Sequence, residues 1–248
     1  MRLTLDADGL VRHGIGPAEL SNDLAGWIAD DLVTPGLLDP ARFEDTFVEV
    51  VGGAWEDFYR NTLRELAAGG APGGTNAGMA PVHDRAAQLT LGSAVELGCC
   101  FGFLSLRLAG DGHDVTAVDL SAGTVALLRT VAPRLGLALR TVAGDATAVP
   151  LRDGSADTVL AVHLLEHLPP PLAPVVLGEM LRVARRRVVV AVPFEDEPNP
   201  AWGHVRTFDL RALDALGAAT GRPHRVAEHH GGWLVIEPVS TSNSNTSR

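Results

Sequence analysis

The sequence predicts an α/β fold in which a mainly parallel sheet is flanked by helices and ends in an antiparallel hairpin. The first observation is the stretch SAVELGCCFGF at 93–103, where a predicted strand passes through a glycine turn into a predicted helix. The second is the alternation of short β-branched runs with helical apolar spacing over 113–192, which is typical of parallel strands with right-handed crossovers. The third is a pair of strand-like runs, 224–228 and 233–237, so close in sequence that they must pair as a hairpin.

The N-terminal part, residues 1–80, is predicted to form a hairpin and a helical cap. Two short strands in 3–14 are joined at Ala7-Asp8-Gly9, because Asp-Gly supplies the positive φ of tight hairpins. Apolar residues then recur at helical spacing over 18–32, and again from residue 40 to residue 66 with an interruption at two glycines. The Gly/Pro-rich run 69–81 is interpreted as a linker or a loop ordered by ligand, and it ends the cap.

Residues 81–239 are predicted to form the α/β domain. A short helix at 83–89 is expected to lead into the first strand, and residues 240–248 are a polar tail that we expect to be disordered. The further predicted helices are 104–109, 122–134, 172–184 and 209–216, and the further predicted strands are 113–119, 139–143, 158–162, 187–192 and the two of the hairpin.

Composition narrows the class of protein. The 248-residue chain has a formal net charge of −10 and a pI near 5.3, which argues against a nucleic-acid binder with a broad basic surface. Its two cysteines, Cys99 and Cys100, are adjacent, so a structural disulfide is not expected and a reducing compartment fits. With no apolar run long enough for a membrane helix and no signal-peptide core, we expect a cytoplasmic protein without membrane insertion. The oligomeric state is left open.

Polar side chains end four successive predicted strands. They are Glu96, Asp119, Asp145 and His163. In an open α/β sheet, ligands bind beyond the carboxyl ends of the strands, and a glycine turn lets a ligand approach the main chain at a helix N-terminus. Asp119 stands 21 positions after the first glycine of the turn, where its two oxygens can accept both ribose hydroxyls, and Asp145 can accept an adenine amine. A nucleotide-like cofactor is therefore predicted.

Four stretches of this region resemble class I methyltransferases that use S-adenosyl-L-methionine. They are VELGCCFG at 95–102, AVDLS at 117–121, GDATAVPLRDGSADTV at 144–159 and LLEHL at 164–168, in the order and spacing of that family over residues 83–238. The resemblance implies a Rossmann-like, seven-stranded methyltransferase sheet and places the methionine part on the glycine turn, the ribose on Asp119 and the adenine on Asp145. The implied cofactor-binding residues are Glu96, Gly98, Cys99, Gly102, Asp119, Leu120, Asp145, Ala146 and His163.

One residue departs from the family pattern. The family usually has glycine where Cys100 stands, so either Cys100 adopts the local φ and ψ or the loop differs slightly. We hypothesise that cofactor binding survives, because Gly98 and Gly102 remain.

Three histidines are candidates for removing a proton from a methyl acceptor, since the unperturbed pKa of histidine lies near neutrality. His163 ends the fourth strand, and His167 follows it in the sequence LLEHL. His204 lies with Arg206 in a long loop after the fifth strand, and we interpret this pair as acceptor-side residues, or otherwise as a lid anchor. No closely spaced cluster with convincing metal-ligand geometry is recognised, so no metal ligand is assigned and metal dependence is left open.

The aromatic-rich cap admits two interpretations. It is either a packed helical cap or an acceptor lid in which Trp55, Tyr59, Arg60 and Asn61 contact a sugar or polar ring. On the second interpretation, deleting residues 1–75 would abolish acceptor methylation and spare cofactor binding.

Short runs suggest an acceptor class. CCFGF at 99–103, FYRNTL at 58–63 and HVRTF at 204–208 look similar to the mycofactocin-associated oligosaccharide methyltransferases of actinobacteria. That similarity implies O-methylation of a hydroxyl on a small molecule or glycan. The alternatives are an NAD(P)-dependent oxidoreductase, which also uses a glycine turn and a distant acidic residue, and a catalytically inactive module that only binds the cofactor.

Overall fold

The computed structural model describes residues 2–237, apart from the side chain at position 44. The predicted polar tail at 240–248 lies outside the described residues. The described chain begins with an antiparallel hairpin of β1 (Leu3–Leu5) and β2 (Val11–His13), as the Asp-Gly turn predicts. Gly9, at φ 76°, supplies the left-handed conformation of that turn.

Four helices form the N-terminal cap. They are α1 (Asp23–Ile28), α2 (Phe43–Val51), α3 (Trp55–Ala67) and α4 (Thr75–Leu89). The break between α2 and α3 falls at Gly52, which has φ 56°, as the two glycines predict. After α1 the chain continues as a π-helical turn, Ala29–Val33, so the helix predicted over 18–32 is shorter and less regular than its apolar spacing suggests.

The Gly/Pro-rich run at 69–81 is not a linker or loop throughout, and this part of the prediction is wrong. Helix α4 begins at Thr75 and continues through Pro81, so the predicted limit between residues 80 and 81 falls inside a helix. The carboxylate of Asp23 accepts a hydrogen bond from the Asn76 N–H at 2.8 Å, which satisfies one of the donors at the helix start. A partner 53 residues away cannot be recognised from local composition.

The second part of the chain forms a seven-stranded sheet. Its strands are β3 (Ala94–Leu97), β4 (Val115–Asp119), β5 (Arg140–Ala143), β6 (Ala156–Val162), β7 (Ala184–Val192), β8 (His224–Glu228) and β9 (Gly232–Ile236). The intervening helices are α5 (Phe103–Gly110), α6 (Ala122–Val131), α7 (Leu172–Val183) and α8 (Leu210–Ala218). The order is β5-β4-β3-β6-β7-β9-β8, and β9 runs antiparallel to both of its neighbours. The predicted fold class is confirmed.

The topology positions a ligand site. The chain proceeds outward from β3 to β4 and β5, and then returns to the other side of β3 with β6. The carboxyl ends of β3 and β6 therefore flank the point at which the strand order reverses, where open α/β sheets bind their ligands.

The cap and the sheet share a hydrophobic core. Phe58 and Tyr59 of α3 are fully buried and belong to the same cluster as Cys99, Phe103 and Leu128 of the α/β domain. Fully burying a large apolar side chain stabilises a fold by about 1.5–3 kcal/mol, so α3 is held firmly against the glycine turn. Among the helices of residues 2–237, none combines the length and the apolar character that crossing a bilayer requires.

Candidate active site

The glycine turn after β3 has the conformation that its sequence predicts. Gly98 and Gly102 have φ values of 72° and 79°, and α5 begins directly after Gly102. A Cβ atom at Gly102 would lie 2.4 Å from Cδ2 of Leu128, and one at Gly98 would lie 2.8 Å from Cδ1 of Leu164. Both positions therefore require glycine for backbone conformation and for packing.

We expect Gly102→Ala to lower the free energy of unfolding by about 2–4 kcal/mol, the sum of left-handed strain and a clash with Leu128. Gly112→Ala is the matched control, because Gly112 also has a positive φ, 91°, but a Cβ added there would meet no other atom within 4 Å. The Gly112→Ala substitution should lower the free energy of unfolding by about 1–2 kcal/mol, from left-handed strain alone. Urea unfolding measures both values, and equal losses would contradict the packing argument.

Asp119 ties the turn to the end of β4. Its Oδ2 accepts a hydrogen bond from the Cys100 N–H at 2.7 Å, and its Oδ1 accepts one from the Ser121 N–H at 2.8 Å. Leu120, directly after it, is 76% exposed, an unusual position for a large apolar side chain beside a strand end. This pair presents a carboxylate and an apolar surface at one place.

The third strand end lies next to Asp119. Gly144 donates its N–H to the Asp119 carbonyl, and Asp145 follows, with Ala146 partly buried behind it. The exposed Asp145 accepts hydrogen bonds from the Thr147 N–H and hydroxyl, which lower the pKa of its carboxyl group. The carboxylate is therefore ionised and held in place at the sheet edge.

Cys100 adopts the conformation that glycine would have. Its φ is 48°, and its side chain is exposed, whereas Cys99 is buried as a small apolar residue would be. The loop thus keeps its shape despite the departure from the family pattern, and the cost is left-handed strain at one residue.

Cys100→Gly is expected to stabilise the protein by about 0.5–1 kcal/mol, because relief of left-handed strain exceeds the extra flexibility that glycine gives to the unfolded chain. Thermal and urea unfolding would measure this gain. A loss of stability would mean that the Cys100 side chain contributes more than its exposure indicates.

A cavity of about 150 Å³ opens beside the turn. Glu96, Gly98 and Cys99 line it from β3 and the turn, and Val162 and His163 line it from the end of β6. The cap supplies the remaining wall through Asn22, Leu66, Met79 and His83. Removing residues 1–75 would therefore also remove part of this cavity, and the expectation that such a deletion spares cofactor binding is not supported.

Glu96 is the buried acidic group of the cavity. It is 4% exposed and accepts a hydrogen bond from the Ser105 hydroxyl at 2.5 Å. Burial raises the pKa of Glu96 to about 8, and the hydrogen bond from Ser105 offsets part of that rise. The cavity thus holds a carboxyl group that a positively charged ligand amine would ionise.

Glu96 should make the protein less stable as the pH rises from about 6.5 to 8. Its folded pKa of about 8 exceeds its ordinary 4.5, so in this range the folded state still holds a proton that the unfolded state has already released, and that contribution is lost as the pH approaches 8. His83 and His163, whose pKa values burial lowers to about 4, act in the opposite direction but mainly below their ordinary value of 6.5. Comparison of Glu96→Gln with the wild type by urea unfolding isolates the effect, and parallel pH profiles would contradict it.

Two of the proposed acceptor residues in the cap have structural roles instead. Tyr59 is fully buried and donates its hydroxyl hydrogen to the Phe101 carbonyl at 2.7 Å. Asn61 donates to the carbonyls of Pro17 and Leu20. Both side chains are therefore committed to joining the cap to itself and to the glycine turn.

The other two cap residues contact side chains of the cap and the glycine turn. Arg60 is exposed and pairs with Glu56 one helical turn earlier, at 2.8 Å. Trp55 packs against Phe58 and Phe101, with ring centroids 5.8 and 6.0 Å away. The packed-cap interpretation therefore describes Tyr59 and Asn61, and an acceptor contact of Trp55 or Arg60 stays a prediction.

The three candidate histidines converge beyond the ends of β6 and β7. His163 directly follows β6 and has φ 52°, a strained conformation for a residue other than glycine, and its Nδ1 lies 3.9 Å from Oε1 of Glu166. His167 and His204 contact each other edge to face, with ring centroids 4.9 Å apart. Nδ1 of His204 lies 2.7 Å from Oε2 of Glu195. We name these five residues, His163, Glu166, His167, Glu195 and His204, the histidine cluster.

Main-chain contacts hold the histidine cluster together. The Val205 N–H donates to the Glu166 carbonyl at 2.9 Å, so the loop after β7 lies directly on the turn after β6. The same loop contacts the cap, since the Trp202 ring lies 6.2 Å from Phe43. Arg206 stacks on Phe208 at 4.2 Å, and its buried Nε has no hydrogen-bond partner in the described structure.

Several residues of the site carry little signal in the sequence. His83 stands at the start of the predicted short helix, and Glu195 stands nine positions before His204 in the loop after β7. Glu166 stands inside the LLEHL run, and the His163-x-x-Glu166-His167 spacing is the signal that could have found it. Glu166, His167 and His204, which the sequence alone does not group as a cluster, lie together in the structure.

The strand ends fit S-adenosylmethionine. The cavity offers the buried Glu96 carboxyl to a ligand amine, and its glycines sit where a Cβ would fill space. Asp119 and the exposed Leu120 suit a ribose and the face of a purine, and Asp145 lies at the next strand end. Each of these groups belongs to a different strand end of one continuous sheet edge.

The α/β part of the chain is similar in sequence to known proteins. Residues 95–192 match the methyltransferase domain family model. A demethylmenaquinone methyltransferase from Beutenbergia cavernae is 40% identical over 110 residues, which are 44% of this chain and 42% of that protein. A ubiquinone biosynthesis O-methyltransferase from Burkholderia orbicola is 31% identical over 107 residues, 39% of this chain and 46% of that protein. The chain thus matches less than half the length of these curated relatives.

Solved structures share the fold. A magnesium protoporphyrin IX methyltransferase from Synechocystis with bound S-adenosylmethionine superposes with a TM-score of 0.54 at 17% identity, covering 82% of this chain and 97% of that one. A methyltransferase from Aquifex aeolicus gives a TM-score of 0.53 at 16% identity, covering 71% and 96%. Residues 95–192 are thus similar to a methyltransferase domain family, and the solved structures share the fold of the α/β part.

Proposed function

We propose that the protein transfers the methyl group of S-adenosylmethionine to a hydroxyl of a small molecule or glycan. The observation that carries this proposal is the histidine cluster, in which His204 and Glu195 form a hydrogen-bonded pair 2.7 Å apart and His163 lines the cofactor cavity. Methylation of a hydroxyl requires loss of its proton, whereas the transfer itself depends mainly on positioning.

The residues divide the chemistry between them. S-adenosylmethionine supplies a methyl group on a positively charged sulfur, and Glu96, Gly98 and Asp119 bind and orient it. Because a carboxylate only accepts hydrogen bonds, Nδ1 of His204 carries the hydrogen toward Glu195, which leaves Nε2 as the proton acceptor. Burial, assisted by the neighbouring histidines, lowers the pKa of His163 to about 4, so this ring is neutral near pH 7 and does not repel the cationic sulfur.

A sugar hydroxyl is the acceptor class that we favour. An alcohol is less acidic than a phenol, so a site with three imidazoles and two carboxylates is suited to the more demanding proton removal. The similarity of residues 204–208 to mycofactocin-associated oligosaccharide methyltransferases supports the same class. The names of the curated relatives support a second candidate, the ring of a quinone precursor.

Transfer of labelled methyl groups tests the function. Purified protein is incubated with methyl-labelled S-adenosylmethionine and an actinobacterial extract separated into saccharide and lipid-quinone fractions. We expect label on oxygen in the saccharide fraction. Label confined to the quinone fraction would mean that the acceptor is a quinone precursor and not a saccharide. No label in any fraction would favour a module that only binds the cofactor.

The oxidoreductase alternative has a direct test as well. The antiparallel β9 inserted between β7 and β8, together with the family match, favours the methyltransferase. Titration with NADH should leave the fluorescence of the nucleotide unchanged, and saturable quenching or enhancement would reopen that alternative.

A further inference from the structure

Three side chains of the types that ligate transition metals lie together in the histidine cluster. Glu166 and His167 come from the turn after β6, and His204 comes from the loop after β7. One potential ligand atom from each lies within 4.8 Å of the other two, and within residues 2–237 no other group of three meets this condition. The topology therefore builds a three-ligand pocket from two separate segments.

Glu166 provides an independent indication that a ligand is bound there. Its side chain is 1% exposed, and neither carboxylate oxygen has a hydrogen-bond partner in the described structure. Burying a polar group without a partner costs free energy, so orphaned buried oxygens are rare in folded proteins. A cation is a partner that would satisfy both oxygens.

Both histidines are held with one nitrogen available. Nδ1 of His204 lies 2.7 Å from Glu195, and Nδ1 of His167 lies 3.3 Å from the Gly203 carbonyl. Since a carboxylate and a carbonyl only accept hydrogen bonds, both rings carry hydrogen on Nδ1 and leave Nε2 as the ligand atom. Metal-binding histidines usually donate their other N–H to a carboxylate or backbone carbonyl in this way.

We propose that Glu166, His167 and His204 bind a divalent transition-metal ion that receives the acceptor hydroxyl. Two imidazoles and one carboxylate leave coordination positions open for an incoming oxygen, as in catalytic zinc sites. The pocket adjoins His163, which lies 3.9 Å from Glu166 and lines the cofactor cavity, so a hydroxyl bound there would lie beside that cavity.

The inference deepens the proposed function and rests on it only for the acceptor. An ion lowers the pKa of a bound hydroxyl, which then releases its proton to solvent. The oxygen attacks the methyl carbon, the new O–C bond forms, and the S–C bond breaks with its electron pair left on sulfur, so no oxidant or reductant is needed. With the ion bound, His204 is a ligand and Glu195 is its positioning residue.

Metal titration tests the proposal without any acceptor. Protein prepared without a polyhistidine tag is stripped with a chelator, dialysed and titrated with Co²⁺, whose visible absorption reports imidazole coordination, and with Zn²⁺ by calorimetry. We expect one ion per chain. Glu166→Gln and His204→Ala should abolish this site, and Glu195→Gln should weaken binding by about 10- to 100-fold through loss of the carboxylate that accepts the hydrogen bond from Nδ1 of His204.

Controls separate the site from the fold and from adventitious binding. Glu228→Gln and His224→Ala change exposed or distant residues of β8 and should leave the stoichiometry and affinity unchanged. Binding of S-adenosylhomocysteine to each variant verifies folding. Absence of stoichiometric binding, or binding that survives both Glu166→Gln and His204→Ala, would overturn the proposal. Full methyl transfer in the presence of chelator would overturn the metal proposal and leave the proposed function standing. Metal binding without methyl transfer to any acceptor would overturn the proposed function and leave the metal site standing.

Discussion

Replacing His204 by alanine is expected to lower the turnover number by about 10²- to 10⁴-fold, the range that a positioned acid or base contributes. The affinity for S-adenosylhomocysteine should change little, because His204 lies in the loop after β7 and does not line the cofactor cavity. The loss is expected whether His204 takes the proton directly or holds an ion that acidifies the hydroxyl, since both roles use the same Nε2 atom.

Initial rates of methyl transfer and calorimetric binding of S-adenosylhomocysteine measure the two quantities separately. His224→Ala is the matched control, because His224 also lies beside a carboxylate, Asp214 at 3.2 Å, but stands on the outermost strand of the sheet. His163→Ala should likewise reduce turnover more than affinity. Unchanged turnover in both His204→Ala and His163→Ala would remove the histidine cluster from the mechanism.

Replacing Asp119 by alanine is expected to weaken binding of S-adenosylhomocysteine by at least about 100-fold. A hydrogen bond to a charged group contributes about 1.5–3 kcal/mol, and both ribose hydroxyls would lose their acceptor. The change also removes the contact with the Cys100 N–H, so the glycine turn would lose its connection to β4.

Calorimetry at constant ionic strength measures this loss. Asp114→Ala serves as the control, because Asp114 is an exposed carboxylate just before β4, at the opposite end of the same strand, and pairs weakly with Arg140 at 3.5 Å. Equal affinities of the Asp119→Ala variant and the wild type would show that the cofactor does not use the end of β4.

The sheet and its cofactor edge could be predicted because they depend on local patterns. Strand ends, the glycine turn and the acidic residue 21 positions after Gly98 follow one another in sequence, and parallel topology brings strand ends together. The sequence leaves the conformation of Cys100 open, and the hydrogen bond from its N–H to Asp119 shows how the loop is held at a positive φ.

The acceptor side could not be predicted because it depends on pairings between distant segments. Tyrosine is a residue type suited to binding sites, but the Tyr59 hydroxyl donates a hydrogen bond to a carbonyl 42 residues away. The sequence does not show that the Glu166 carboxylate oxygens lack hydrogen-bond partners, because the side chain is buried by the loop after β7, which is distant in sequence. The start of α4 could not be predicted either, because the hydrogen bond that stabilises it is accepted by the distant residue Asp23.

The contact between Trp202 and Phe43 joins the loop after β7 to the cap. The loop that carries His204 is fastened to the cap as well as to the sheet, so its position depends on how α2 is seated. An exchange of the cap between related enzymes would therefore displace His204 even though no residue of the histidine cluster had changed. Acceptor preference in such chimaeras should follow the cap and the loop only when both are transplanted together.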